Sequence, residues 1–123
     1  MRLLLVEDND EITETISFYC GTKKDIDCKV ATNGQEGLES IRNEKFDLIL
    51  LDLAMPEFSG LDVIKSLKQD GLIESMNIVI FTASSDQKIL NEMRNSGIKE
   101  VFKKPCSLDD LIELIEKYRP IGE

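Results

Sequence analysis

Histidine and tryptophan are absent from this chain of 123 residues, and proline occurs only 3 times. Without an imidazole there is no Ser–His or Cys–His nucleophile pair, no histidine metal ligand and no phosphohistidine on the chain itself. Cysteine is scarce too. Cys20, Cys28 and Cys106 are odd in number and lack C-x-x-C spacing, which argues against a disulfide framework or zinc site and reads as small, reduced hydrophobes. Long apolar runs are missing: Leu3–Val6 and Leu48–Leu51, with Ile78–Phe81 of the same length, are the longest, far short of the ~18 residues of a membrane span. The run after Arg2 breaks at once into Glu7 and Asp8, so no secretory leader is expected and the cytoplasm is the expected compartment. Positive charge is also in short supply. With 15 basic against 24 acidic residues the net charge is −9, which repels phosphate backbones and disfavours direct nucleic-acid binding.

What is present has a regular order. Short solid apolar runs (Leu3–Val6, Cys28–Ala31 in weaker form, Leu48–Leu51, Ile78–Phe81 and Val101–Phe102) have strand length. Strands apolar on both faces belong to parallel sheets covered by helices on both sides. Between them the spacing becomes helical: Ile12, Ile16 and Cys20; Leu38 and Ile41; Leu61, Ile64 and Leu67; Leu90 and Met93. The last stripe runs through Leu108, Leu111, Ile112, Ile115 and Tyr118, behind Ser107 as N-cap with Asp110 following. Gly34, Gly60 and Gly97 fall where turns are needed. A strand–helix unit repeated five times predicts an α/β, doubly wound parallel sheet with right-handed crossovers, in one domain over residues 1–123. Ligands of such folds lie beyond the carboxyl ends of the strands.

Chemistry-bearing residues stand at those ends: Glu7 and Asp8 after the first run, Asp52 after the third, Thr82 after the fourth, and Lys104 before Pro105 after the fifth. Any one of them alone has an ordinary structural use as a helix cap, strand former or solvated charge. Together they form an acidic pocket with one hydroxyl and one amine. At ~4 Å and an effective dielectric near 20, each like-charged pair costs roughly 4 kcal/mol, which a divalent cation removes. Few, hard oxygen ligands suit Mg²⁺ retaining several waters.

The segments "LLLVEDND", "ATNGQEGL", "DLILLDLAMPEFSGLDV", "IVIFTASS" and "FKKP" together resemble the receiver domain of two-component response regulators, over essentially the whole chain. The resemblance implies a CheY-like, flavodoxin-like three-layer (βα)5 sandwich with strand order 2-1-3-4-5. It implies Asp52 as phosphoacceptor, Mg²⁺ held by Asp8, by Glu7 through water, by Asp52 and by the backbone carbonyl of Ala54, and Thr82 and Lys104 as partners of the aspartyl phosphate. Met55, Pro56 and Gly60 match the family's loop after the third strand, and the Lys104–Pro105 bond is expected to be cis. The donor is then a phosphohistidine on a sensor histidine kinase or phosphotransfer protein. A downstream output protein, or a second copy of the chain, reads the face made by the fourth helix, fifth strand and fifth helix. The chain is in this reading a signalling switch rather than an enzyme, catalysing only its own phosphorylation and slow dephosphorylation. Only "RPIGE" follows the last helix, so no DNA-binding output domain is expected within it.

Three positions depart from the family pattern. Val101 stands where the family usually has a switching Tyr or Phe, and strand alternation turns the neighbouring Phe102 to the opposite face. Ala54 and Ser84, two residues beyond Asp52 and Thr82, offer little to orient a hydrolytic water. A rival reading uses the first motif differently: Asp8-x-Asp10 also resembles haloacid-dehalogenase-type phosphatases, whose nucleophile would be Asp8.

Overall fold

The computed structural model describes residues 1–104 and 107–120; Pro105, and with it the expected cis bond, and Cys106 lie outside the described residues. The strands are β1 (Arg2–Val6), β2 (Asp27–Ala31), β3 (Leu48–Asp52), β4 (Ile78–Thr82) and β5 (Glu100–Lys103). They alternate with the helices α1 (Asp10–Gly21), α2 (Gly34–Asn43), α3 (Gly60–Asp70), α4 (Gln87–Asn95) and α5 (Leu108–Lys117). All strand pairs are parallel, in the order β2-β1-β3-β4-β5 expected from the resemblance.

Side-chain alternation sorts the core into two layers. Leu3, Leu5, Leu48, Leu50, Val79 and Phe81 face α1 and α5, meeting Ile16, Cys20, Leu111, Leu114 and Ile115. Leu4, Val6, Ile49, Leu51, Ile78 and Ile80 face the other way, against Ile41, Val63, Leu67 and Met93 of α2, α3 and α4. β3 and β4 are buried along their whole length because helices cover both faces, which explains their unbroken apolar runs.

Some local expectations needed adjusting. Leu108 opens α5 but is 44% exposed, and Leu114 takes its place in the buried stripe with Leu111 and Ile115. Gly97 does turn in the left-handed region, at φ 93°. Gly34 and Gly60 are instead the first residues of α2 and α3, and close approach is what they require: an added Cβ would lie 2.1 Å from the Phe58 carbonyl oxygen and 2.1 Å from that of Asp52, respectively. The left-handed C-cap of α3 is Gly71, and a 3₁₀ turn at Ile73–Ser75 leads into β4. Among the described residues no helix is long and apolar enough to cross a membrane.

Candidate functional site

The carboxyl edge of the sheet is ringed by helix N-termini, each closed by a side chain that accepts a backbone N–H: Asn9, Asn33, Ser59, Asp86 and Ser107. Ser59 and Ser107 form reciprocal capping boxes with Asp62 and Asp110. These caps end the loops tightly and leave an open cleft of about 660 Å³ at the centre of that edge, lined by Glu7, Asp8, Asp52, Thr82, Ser84 and Lys104 among others. The five residues singled out from the sequence therefore meet in one place.

Two of its acids are drawn into the protein. Glu7 is fully buried and Asp52 is 4% exposed, whereas Asp8 stands in solvent. One oxygen from each lies within 4.8 Å of the others. Lys104 is the cation among them. Its Nζ donates to Glu7 Oε1 at 3.1 Å and Oε2 at 2.9 Å, and sits 3.5 Å from Asp52 Oδ1. The Asn9 N–H donates to Glu7 Oε1 at 3.3 Å, and the Ala54 N–H to Asp52 Oδ1 at 3.2 Å. Burial pushes the Glu7 carboxyl above the usual carboxylate range, with Lys104 pulling against it. Burial also pushes Asp52 up, again opposed by the Lys104 charge. Thr82 is buried at the end of β4, and its Oγ1 accepts the Ser84 N–H at 3.0 Å.

The donor set fits Mg²⁺. Three carboxylates converge, and ligands on opposite sides of that ion stand about 4.2 Å apart given Mg–O distances of ~2.1 Å, close to the observed spread of 4.8 Å or less.

The sequence reading missed Phe81, whose ring lies 4.8 Å from Lys104 Nζ; a Phe within a strand carries no local signal of such a contact. It also placed Lys104 only against an incoming phosphate. In the resting protein the amine is committed to Glu7. We expect Lys104→Ala to cost ~3 kcal/mol in metal-free buffer, at the lower end for a broken buried pair, because it leaves a buried carboxyl without its cation. Urea unfolding should show the loss as a lower midpoint with unchanged slope, and Glu7→Gln on top of it should recover most of it. A single variant as stable as wild type would contradict this account of the pair.

A parallel 2-1-3-4-5 sandwich with an acid cluster and a lysine at its carboxyl edge belongs to the doubly wound α/β domains that carry their site beyond the strand ends. Comparison with known proteins narrows that class. The profile of the response regulator receiver domain matches residues 3–116, and the chain belongs to that family. It is 33% identical to transcriptional regulatory protein CrdR of Helicobacter pylori, with 95% of this chain and 54% of that protein covered. It is 30% identical to sporulation initiation phosphotransferase F of Bacillus subtilis, over 74% of this chain and 72% of that one. The chain spans about half the length of several curated relatives it matches, including CrdR and, at 52%, the probable C4-dicarboxylate response regulator DctR of Bacillus subtilis.

Solved structures agree with the fold. The receiver domain of Francisella response regulator 1452 superposes with a TM-score of 0.82 at 26% identity, over 95% of this chain and 94% of that one. Response regulator TrrA of Thermotoga maritima, in complex with Mg²⁺–BeF, gives 0.76 at 26% identity over 96% and 98%.

Proposed function

We propose that the chain is a phosphoacceptor switch of a two-component or phosphorelay system in which Asp52 takes a phosphoryl group from a phosphohistidine on a partner protein. The observation that carries this reading is the convergence of Glu7, Asp8, Asp52 and Lys104 on one open cleft, with the acceptor buried to its carboxylate tip. Since the chain has no histidine, the donor belongs to a sensor histidine kinase or a phosphotransfer protein.

In the transfer, an Asp52 carboxylate oxygen attacks phosphorus in line as the P–N bond of the donor breaks and the imidazole leaves with the electron pair. Lys104, already 3.5 Å from Asp52, meets the charge on the equatorial phosphoryl oxygens. The Thr82 hydroxyl would donate to one of those oxygens, drawing Thr82 and the loop that begins α4 toward the cleft. Glu7, Asp8, Asp52 and the Ala54 carbonyl are the residues that would hold Mg²⁺. When bound, the ion offsets the carboxylate repulsion and neutralises charge on the phosphoryl group.

The output route departs from the usual one. Val101 packs in the layer of α2, α3 and α4, on the Thr82 side, while Phe102 packs with α1 and α5. Among the described residues β5 therefore puts no aromatic ring on the Thr82 side to swing with it, and partners at the α4–β5–α5 face, a second copy of the chain among them, receive a smaller or differently routed change. Ala54 and Ser84 leave water access to Asp52 open and contribute little to the reset rate.

Acetyl phosphate with Mg²⁺ should add one phosphoryl group to the intact chain, and EDTA should stop the addition. Labelling at the same rate in EDTA would rule out the metal's part in this reading.

A further inference from the structure

Register aligns Asp52 with Phe81 on β4, and Phe81 with Phe102 on β5. In a parallel sheet such lateral partners point to the same face, here the one that α1 and α5 cover. The Phe81 ring is thus the immediate neighbour of Asp52 across the strand. It is 2% exposed and stacks on Phe102, with ring centroids 6.1 Å apart and planes at 28°. Lys104 follows Phe102 by two residues and returns over the same face, its backbone N–H bonded to the Thr82 carbonyl at 2.8 Å. That return lays the ammonium over the Phe81 ring, 4.8 Å from its centroid.

We infer that Phe81 is a positioning residue for phosphoryl transfer, holding the Lys104 ammonium beside Asp52 through the face of its ring. The inference rests on the reading of Asp52 and Lys104 given above. A lysine stem is flexible and its ammonium can pivot among several acceptors. In the resting site Glu7 competes for it with two oxygens, at 2.9 and 3.1 Å, against one at 3.5 Å from Asp52. The ring attracts the ammonium without accepting a hydrogen bond, so all three N–H donors stay available while the carboxylate and phosphoryl partners exchange. Phe102 stacks on the same ring and helps to fix it. An aliphatic residue would fill the same space in the layer under α1 and α5 but would offer no such attraction.

Ring fluorination separates the two roles, since it weakens the quadrupole and changes shape little. With acetyl phosphate and Mg²⁺, the full chain carrying 3,4,5-trifluorophenylalanine at position 81 should accept the phosphoryl group about fivefold more slowly than wild type. Phe81→Leu should be slowed at least as much. In a Lys104→Ala background neither change should alter the remaining rate. A wild-type rate for the fluorinated chain, or an equal loss without Lys104, would overturn the proposal. An independent readout needs no transfer: the Lys104 ε-methylene proton resonances should lie upfield through the ring current and return to ordinary values in Phe81→Leu. Unshifted resonances in folded wild type would overturn the positioning whatever the kinetics show. Shifted resonances in a wild type that takes no phosphoryl group would support it while sinking the reading of Asp52.

Discussion

Asp52→Asn is expected to take up no phosphoryl group from acetyl phosphate under conditions that label the wild-type chain to completion. The amide keeps the shape of the carboxylate and its contact with the Ala54 N–H, so the folded site persists while its nucleophile is lost. Neither neighbouring acid can substitute. Glu7 is fully buried and its two oxygens are engaged by Lys104. Asp8 is exposed, and the ammonium that would meet the transferred charge lies against Glu7 and Asp52. The variant should also be more stable than wild type in metal-free buffer, because a charge that burial disfavours, and that the neighbouring Asp8 repels, becomes neutral. Mg²⁺ should correspondingly stabilise wild type more than the variant. Peptide mapping of the labelled wild type decides between the two readings of the first motif: phosphate on the peptide holding Asp52 is expected, and phosphate on Asp8 would revive the phosphatase-like alternative.

The legible part of this protein was the part written in period and position. Solid runs and helical spacings predicted the five strands and five helices, because burial on two faces keeps β3 and β4 apolar up to their last residues, Asp52 and Thr82. That the five candidate residues would meet was legible because each ends or follows a strand, and strand ends share one edge in this topology. The unread features depend on long-range placement. Of the helix N-caps, only Ser107 stood out, since Asn9, Asn33, Ser59 and Asp86 precede less regular stripes. The partnership of Lys104 with Glu7 spans 97 residues in sequence, and the ring of Phe81 beneath it follows from register, which no local pattern displays. Gly34 and Gly60 read as ordinary turn glycines, whereas their necessity comes from backbone brought against them by other segments.

Gly60 shows what that necessity means for function, and Gly60→Ala should be the most damaging single methyl addition near the site. Its Cβ would fall 2.1 Å from the Asp52 carbonyl oxygen, 2.8 Å from the Asp52 carbonyl carbon and 2.8 Å from Leu53 Cα. All three are backbone atoms, so no side-chain rotation makes space. Gly60 also donates its N–H to the Leu53 carbonyl at 3.0 Å and opens α3 behind the Ser59–Asp62 capping box, which hinders a simple retreat of the helix. The strain must then move the end of β3, and Asp52 with it. We expect a loss of ~3 kcal/mol, at the upper end of overpacking costs, and a melting temperature lower by about 10 °C or more. Phosphorylation of the remaining folded protein should slow by up to ~100-fold, since a shift of about 1 Å in a reacting group has that effect. Gly21→Ala is the matched control. Gly21 ends α1 with nothing within 4 Å of the added Cβ, so the same methyl group should leave phosphorylation unchanged and stabilise the helix by up to ~1 kcal/mol. Equal effects of the two substitutions would mean that the backbone around position 60 accommodates a methyl group; a large, selective loss in Gly60→Ala ties the packing of α3 against β3 to the placement of the Asp52 carboxylate.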